Sequence, residues 1–296
     1  MLREVAHGGM GVVYEAEQLG AGGFSKKVAI KLIREEFSTV ESFQRNFIGE
    51  ARLVSGLVHP NIVQIYQLGE NLGQYYMVME WVNGNDLETL LERLWEADEP
   101  FPLEWACFVV SRICRGLDYA HNQRDARGRP LDLVHRDVNP RNILLSHEGD
   151  IKLTDFGVAK ALNLMFSKER EVIAGNDDYL SPEQAQRRIT DRRSDVFACG
   201  VLLAEMIAGF NIFAADTPEQ TRENICTMRL PDFRELRPDI PDELIQITRR
   251  ALERDRDARF PTASEMMTAL EWYLYRDGYG PTHEKFAIFL ERWLKD

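Results

Sequence analysis

Along the first eighty residues the apolar positions fall in short β-branched and aromatic runs: VVYEAEQ (12 to 18), KVAIKLI (27 to 33), IVQIYQLGE (62 to 70) and YYMVMEW (75 to 81). Such runs predict strands, because these side chains fit a pleated, half-buried surface. Glycine-rich turns separate them, LGAGGF at 19 to 24 and ENLG at 70 to 73. Between the second and third strands, Phe43, Phe47, Ala51 and Val54 recur at helical spacing. Past a hinge near 80 to 85 the period changes, and DLETLLERL, the run from Glu104 to Tyr119, TDRRSDVFACGVLLAEMIAG, DELIQITRRALERD and EMMTALEWYL predict helices. NILLSHEGDIKL predicts a hairpin turning at Glu148, Gly149 and Asp150, and GRP at 128 to 130 a loop ahead of a strand carrying residues 135 to 137. Strands first and helices afterwards give an α+β chain in two lobes. At the C-terminus, Phe286, Leu290, Trp293 and Leu294 share one helix face. That face predicts packing on the larger lobe or, alternatively, a docking or dimer helix.

Composition narrows the partners. The 296 residues are 44% hydrophobic and 28% charged, which suits a globular chain with a substantial core. A net charge of -12 argues against a general nucleic-acid binder or a binder of acidic membranes. Cys107, Cys114, Cys199 and Cys226 show neither CxxC nor Cys/His spacing, so buried small apolar residues are expected rather than disulfides or zinc ligands. The best apolar run, 196 to 209, is too short for a membrane helix and contains Glu205. With no N-terminal signal pattern, the expected compartment is a reducing cytoplasm.

Three stretches carry candidate chemistry. AHGGMGVVY at 6 to 14 links two strand-like segments and would let backbone amides approach a phosphate, although a plain hairpin turn has the same composition. It is not a Walker A loop, because no Gly-Lys-Ser/Thr follows. Lys31 closes the apolar VAIK strand, and Glu50 lies on the apolar face of the following helix. Each needs the other as a partner, either as a structural ion pair or to hold Lys31 against phosphates. Asp137 and Asn142 are spaced to offer a carboxylate to a substrate hydroxyl and an amide oxygen to a metal, and Asp155 offers a further hard oxygen.

GGMGVV, VAIK, HRDxxxxN, DFG at 155 to 157, SPE at 181 to 183 and SDVFACG at 194 to 200 together resemble the ordered motifs of eukaryotic-type (Hanks-type) protein kinases. GGMG, HPNIV, SPEQA and DARFPTASEM are most similar to the bacterial Ser/Thr members. The resemblance spans nearly the whole chain. It implies a bilobal α+β fold, with a small antiparallel β-sheet lobe and one helix over 1–82, a mainly helical lobe over 83–280 and an extension helix over 281–296. It implies ATP, Mg²⁺ and a protein substrate. Ala6, His7, Gly8, Gly9 and Gly11 would then cover the phosphates and Lys31, paired with Glu50, would contact them. Asn142 and Asp155 would bind the metal, and Asp137 would orient the attacking hydroxyl or accept its proton. Met79 is similar to a gatekeeper, Glu80 and Val82 would hydrogen-bond adenine through their backbones, Val13, Ala29 and Leu144 would sandwich it, and Asp86 would lie near the ribose. Glu183 and Arg259 resemble a structural ion pair of the large lobe.

Departures from the pattern set the alternatives. Ala6 replaces the usual first glycine, and Asn139 and Asn176 stand where Ser/Thr kinases have Lys and Thr. Two amides can hydrogen-bond but supply no cation to the γ-phosphate. Arg141 resembles the arginine of some tyrosine kinases and would lend charge. The segment from Val158 to Ser181 offers only Ser167, Tyr179 and Ser181 as hydroxyls, with Glu169 and Glu171 as possible partners for Arg136. Activity largely independent of phosphorylation in this segment is therefore expected. A pseudokinase or scaffold and a small-molecule kinase are the other readings.

Overall fold

The computed structural model describes residues 1–7, 11–33, 48–49, 51, 54–156 and 177–294. Backbone contacts divide the chain into two units, the first holding Met1–Val82 and the second Asn83–Asp155 with the described residues from Asp177 onward.

In the first unit β1 (Arg3–His7), β2 (Gly11–Leu19), β3 (Ser25–Ile33), β4 (Ile65–Asn71) and β5 (Gln74–Glu80) form one antiparallel sheet in the order β1-β2-β3-β5-β4. Its register sets Ala16 opposite Val28 and Ile30 opposite Val78. Ala16, Val28 and Val78 make a buried cluster against which Ile30 and Tyr76 pack, so branched residues fill one face of the pleat. Of the helix expected after β3, Ile48, Gly49, Ala51 and Val54 are helical, and Phe43, Phe47 and Glu50 lie outside the described residues.

The second unit carries a three-stranded sheet of β6 (Gly84–Asp86), β7 (Ile143–Ser146) and β8 (Ile151–Leu153). Its described helices are α1 (Leu87–Glu96), α2 (Leu103–His121), α3 (Pro182–Ala185), α4 (Arg193–Ala208), α5 (Pro218–Thr227), α6 (Phe233–Leu236), α7 (Asp242–Ala251), α8 (Ala263–Tyr275) and α9 (His283–Leu294). Periodicity missed α5, because it buries only Thr221 and Ile225. The Thr217 cap and Pro218 at the first turn were the available signal. Helix α4 is buried almost all round, which explains its membrane-like run. No described helix is long and apolar enough to cross a membrane. Cys107, Cys114 and Cys199 are buried and Cys226 is half-buried, all as free thiols.

The C-terminal stripe packs on its own unit. Phe286, Leu290 and Leu294 are buried, and Phe286 meets Trp105 at 5.2 Å and Phe108 at 5.8 Å between ring centroids. Arg93 Nη1 donates to the Trp293 carbonyl at 2.7 Å, tying α9 to α1. At the turn between β7 and β8, Gly149 has φ +89°, and a Cβ there would lie 2.1 Å from the His283 carbonyl oxygen. Only glycine serves this turn beneath α9.

Candidate active site

The strand expected at 135 to 137 does not form; Leu131–Val138 make no sheet pairing. Side chains from the helices hold this segment instead. Asp195, buried on α4, accepts the His135 N–H on Oδ2 and the Arg136 N–H on Oδ1, each at 2.8 Å, and His121 Nε2 meets Oδ2 at 2.7 Å. Burial alone would raise the Asp195 carboxyl, but the His121 hydrogen bond and the surrounding donors hold it below the usual carboxylate range. Gln184 Nε2 donates to the Arg136 carbonyl at 2.9 Å. These anchors hold Arg136 at φ +64°, a strained conformation for a side-chain-bearing residue.

His135 lies at 3.0 Å from the Thr154 carbonyl through Nε2, and its Nδ1 accepts the Asp137 N–H at 3.2 Å. Both contacts are made by one neutral tautomer, and burial pushes the imidazole below its ordinary value. The ring thereby bridges the loop of Asp137 to the end of β8.

Asp137 is held by two amides. Asn139 Nδ2 donates to its Oδ1 at 3.1 Å and Asn142 Nδ2 to its Oδ2 at 3.2 Å, and the same nitrogens reach the Asp137 carbonyl at 2.9 and 2.8 Å. Asn139 Oδ1 accepts the Arg141 N–H at 3.0 Å and caps the short 3₁₀ turn Pro140–Asn142. With its amide nitrogen directed at Asp137, Asn142 has Oδ1 as its donor toward a cation. Pairing of Ile143 with Leu153, and a 2.9 Å bond from the Thr154 N–H to the Asn142 carbonyl, set Asn142 beside the segment that leads into Asp155. Asp155 adopts φ +55°. An amide oxygen and a carboxylate carried on these adjoining segments are hard donors of the kind a divalent cation takes.

Arg141 does not lend its charge to this loop as expected. Its Nε pairs with Glu88 on α1 at 2.6 Å, and that hydrogen bond raises the guanidinium further.

Asp86 and Leu144 are cross-strand partners in β6 and β7. Asp86 Oδ1 also caps α1, accepting the Thr89 N–H and hydroxyl at 2.8 Å each, a role announced by the Asp-x-x-Thr spacing. In the first unit, Ala6 faces Val13, Val13 faces Lys31 and Ala29 faces Met79 across adjacent strands. A Cβ on Gly11 would lie 2.4 Å from the Leu32 carbonyl oxygen, so the sheet itself demands glycine there. The exposed His7 pairs with Glu4. The Glu80 N–H donates to the Gln64 carbonyl at 2.8 Å, and Val82 ends the unit. Gly8, Gly9, Glu50, Ser167, Glu169, Glu171 and Asn176 lie outside the described residues.

The remaining two hydroxyls ahead of α3 are committed. Ser181 is fully buried in a capping box with Gln184, and the Tyr179 hydroxyl donates to Glu205 Oε2 at 2.5 Å. Burial pushes the Glu205 carboxyl up to about 7 from an ordinary 4.5, against the Tyr179 hydrogen bond and with Asp178 and Glu88 adding repulsion. A carboxyl raised on folding stabilises fully below its unfolded value, and that contribution is lost as pH rises toward 7. Glu205→Gln should therefore flatten stability across this window, where the wild type loses about 3 kcal/mol relative to the variant. Parallel denaturation free energies at pH 5 and pH 8 would refute this.

A carboxylate steadied by two amides thus stands next to a hairpin that delivers hard oxygen donors. The protein kinase domain family matches residues 1–272, and the chain belongs to that family. Among its relatives, the chain is 38% identical over 291 residues to the tyrosine-protein kinase MasK of Myxococcus xanthus, covering 98% of this chain and 45% of MasK. It is 34% identical to the serine/threonine-protein kinase PrkC of Bacillus subtilis, covering 90% of this chain and 39% of PrkC. The chain thus spans less than half the length of either. The Mycobacterium tuberculosis PknI kinase domain matches with TM-score 0.66 and 26% identity, over 91% of this chain and 93% of that one.

Proposed function

We propose that this chain transfers the γ-phosphate of ATP to serine or threonine hydroxyls of a protein substrate, with Mg²⁺ as the metal. The observation that carries this reading is the placing of Asp137, Asn142 and Asp155 by one hydrogen-bonded hairpin and loop. When bound, Mg²⁺ would neutralise charge on the phosphates, with Asn142 Oδ1 and Asp155 as its protein ligands. Asp137 orients the substrate hydroxyl and receives its proton, while Asn139 and Asn142 fix the carboxylate's rotation. Lys31 and the 6-to-11 loop serve the phosphates, and Val13, Ala29, Met79, Glu80, Val82, Leu144 and Asp86 serve the nucleoside. Residues 1–82 and 83–280 are assigned as the two lobes, with 281–296 as the extension. Free thiols and dependence on ATP favour a reducing cytoplasm. A docking or dimer role for α9 would use its exposed side, where Ile288 stands out.

Serine/threonine transfer is favoured by relatives named for it, PrkC and the 36% identical PknA of Mycobacterium tuberculosis. MasK, a tyrosine-protein kinase by name, supports tyrosine as a second reading. Radiolabelled ATP, Mg²⁺ and casein should yield labelled serine or threonine with the wild type and no label with Asp137→Ala. Dominant phosphotyrosine would install the second reading, and ATP binding without any transfer would make the chain a pseudokinase.

A further inference from the structure

Beside the Asp137 loop, within the second unit, lies a cavity of about 510 Å³ whose lining includes His121, Asp132, Arg136, Thr190, Arg192 and Arg193. Its polar groups are unevenly satisfied. Arg193 is neutralised by Asp191 at 2.8 Å and Asp257 at 2.6 Å, and Asp191 also meets Arg256 at 3.2 Å. Arg192, by contrast, is exposed and its side chain has no ion-pair or hydrogen-bond partner among the described residues. His121 gives Nε2 to Asp195 and leaves Nδ1 buried without a partner, in a side chain only 1% exposed. Leaving such a nitrogen unpaired is costly. The lining carries three arginines, Arg136, Arg192 and Arg193, against two carboxylates, Asp132 and Asp191, and Asp191 is already compensated.

Thr190 stands at this site. Arg136 Nε donates to its Oγ1 at 3.1 Å, and the residue sits in Arg-Arg-Ile-Thr-Asp-Arg-Arg at 187 to 193, where Arg187, Arg188, Ile189 and Arg192 are exposed. A phosphate on that oxygen would turn a neutral acceptor into a charge-assisted one for Arg136 and bring Arg192 its missing partner. We propose that Thr190 is a phosphorylation site of this chain, its phosphate received in the cavity by Arg136 and Arg192. The inference rests on the phosphotransferase reading above. The Thr190 oxygen bonds to the γ-phosphorus of ATP as the bond to the β–γ bridging oxygen breaks, ADP departs, and the hydroxyl proton passes to Asp137 of a second copy. A second copy is required because Thr190 is tied to Arg136, whose backbone Asp195 and Gln184 hold in place. The consequence is a clamp on the residue directly preceding Asp137.

The test incubates wild type, Thr190→Ala and Arg192→Ala with ATP, Mg²⁺ and casein, and maps phosphopeptides by mass spectrometry. A fourth sample mixes wild type with isotopically labelled Asp137→Ala chain. Phosphate on Thr190 of the wild type is expected, and on the Asp137→Ala chain only when wild type is present. Modification should raise the melting temperature on the order of 2–4 °C, with the rise lost in Thr190→Ala and reduced in Arg192→Ala. Labelled casein with Thr190 unmodified overturns this inference alone. Absence of label on both overturns the phosphotransferase reading and this inference with it.

Discussion

Asp137→Ala is expected to lower kcat for protein phosphorylation about 10²–10⁴-fold, the range of a positioned acid-base group, with ATP affinity and melting temperature close to wild type. The fold should tolerate the change because Asn139 and Asn142 each also hydrogen-bond the Asp137 backbone carbonyl, which the substitution leaves in place. Loss of the carboxylate removes the group we propose to direct the hydroxyl without removing the loop that carries it. Asp137→Asn sharpens the comparison, since it retains shape but cannot take the proton. Steady-state kinetics paired with calorimetric titration of ATP measures both halves, and a kcat within tenfold of wild type would exclude Asp137 from this role.

The largest expected effect on stability belongs to Arg259. Its guanidinium is fully buried and forks onto Glu183, with Nη1 and Nη2 at 2.8 Å from the two carboxylate oxygens. The Ser194 hydroxyl adds a 2.7 Å bond to Glu183. Burial would raise the Glu183 carboxyl, yet the Arg259 hydrogen bonds and charge, helped by Ser194, hold it below the usual range. Arg259→Ala leaves that carboxylate buried and unpaired and should cost about 3–5 kcal/mol in denaturant unfolding. Replacing both partners by apolar residues of similar volume should recover part of the loss, because no orphan charge remains. The pair's contribution is present above the ordinary glutamate value and is lost as pH falls through the lower folded one. A single-variant cost below 1 kcal/mol would contradict the account.

Much of this was legible because local chemistry and fold agree. Four of the five strands of the first unit, β2 to β5, form where branched residues cluster, with ends within three residues of those read from the pattern. The turn at Gly149 follows from glycine, and the helical stripe of Phe286, Leu290 and Leu294 from its period. What failed depends on partners distant in sequence. Residues 135 to 137 have strand-like neighbours, but their backbone is satisfied by Asp195, some sixty residues downstream. Buried carboxylates on a largely apolar helix, Asp195 and Glu205, were the available sign that α4 must anchor something. Arg141 was read by its distance from Asp137, whereas Glu88, far upstream, decides where its charge goes. Tyr179 and Ser181 counted as available hydroxyls until their burial placed them in the core.

The close fit of Gly149 beneath α9 also bears on how such chains can diverge. His283 Nδ1 lies 3.1 Å from the Gly149 carbonyl, and the space a Cβ at Gly149 would need is taken by the His283 carbonyl. Any lineage that keeps this helix inherits a restriction on the hairpin below it. Neither an added residue nor a branched side chain fits at the tip without lifting the C-terminal helix, whereas the largely exposed loop at 122 to 131 should tolerate a change of length.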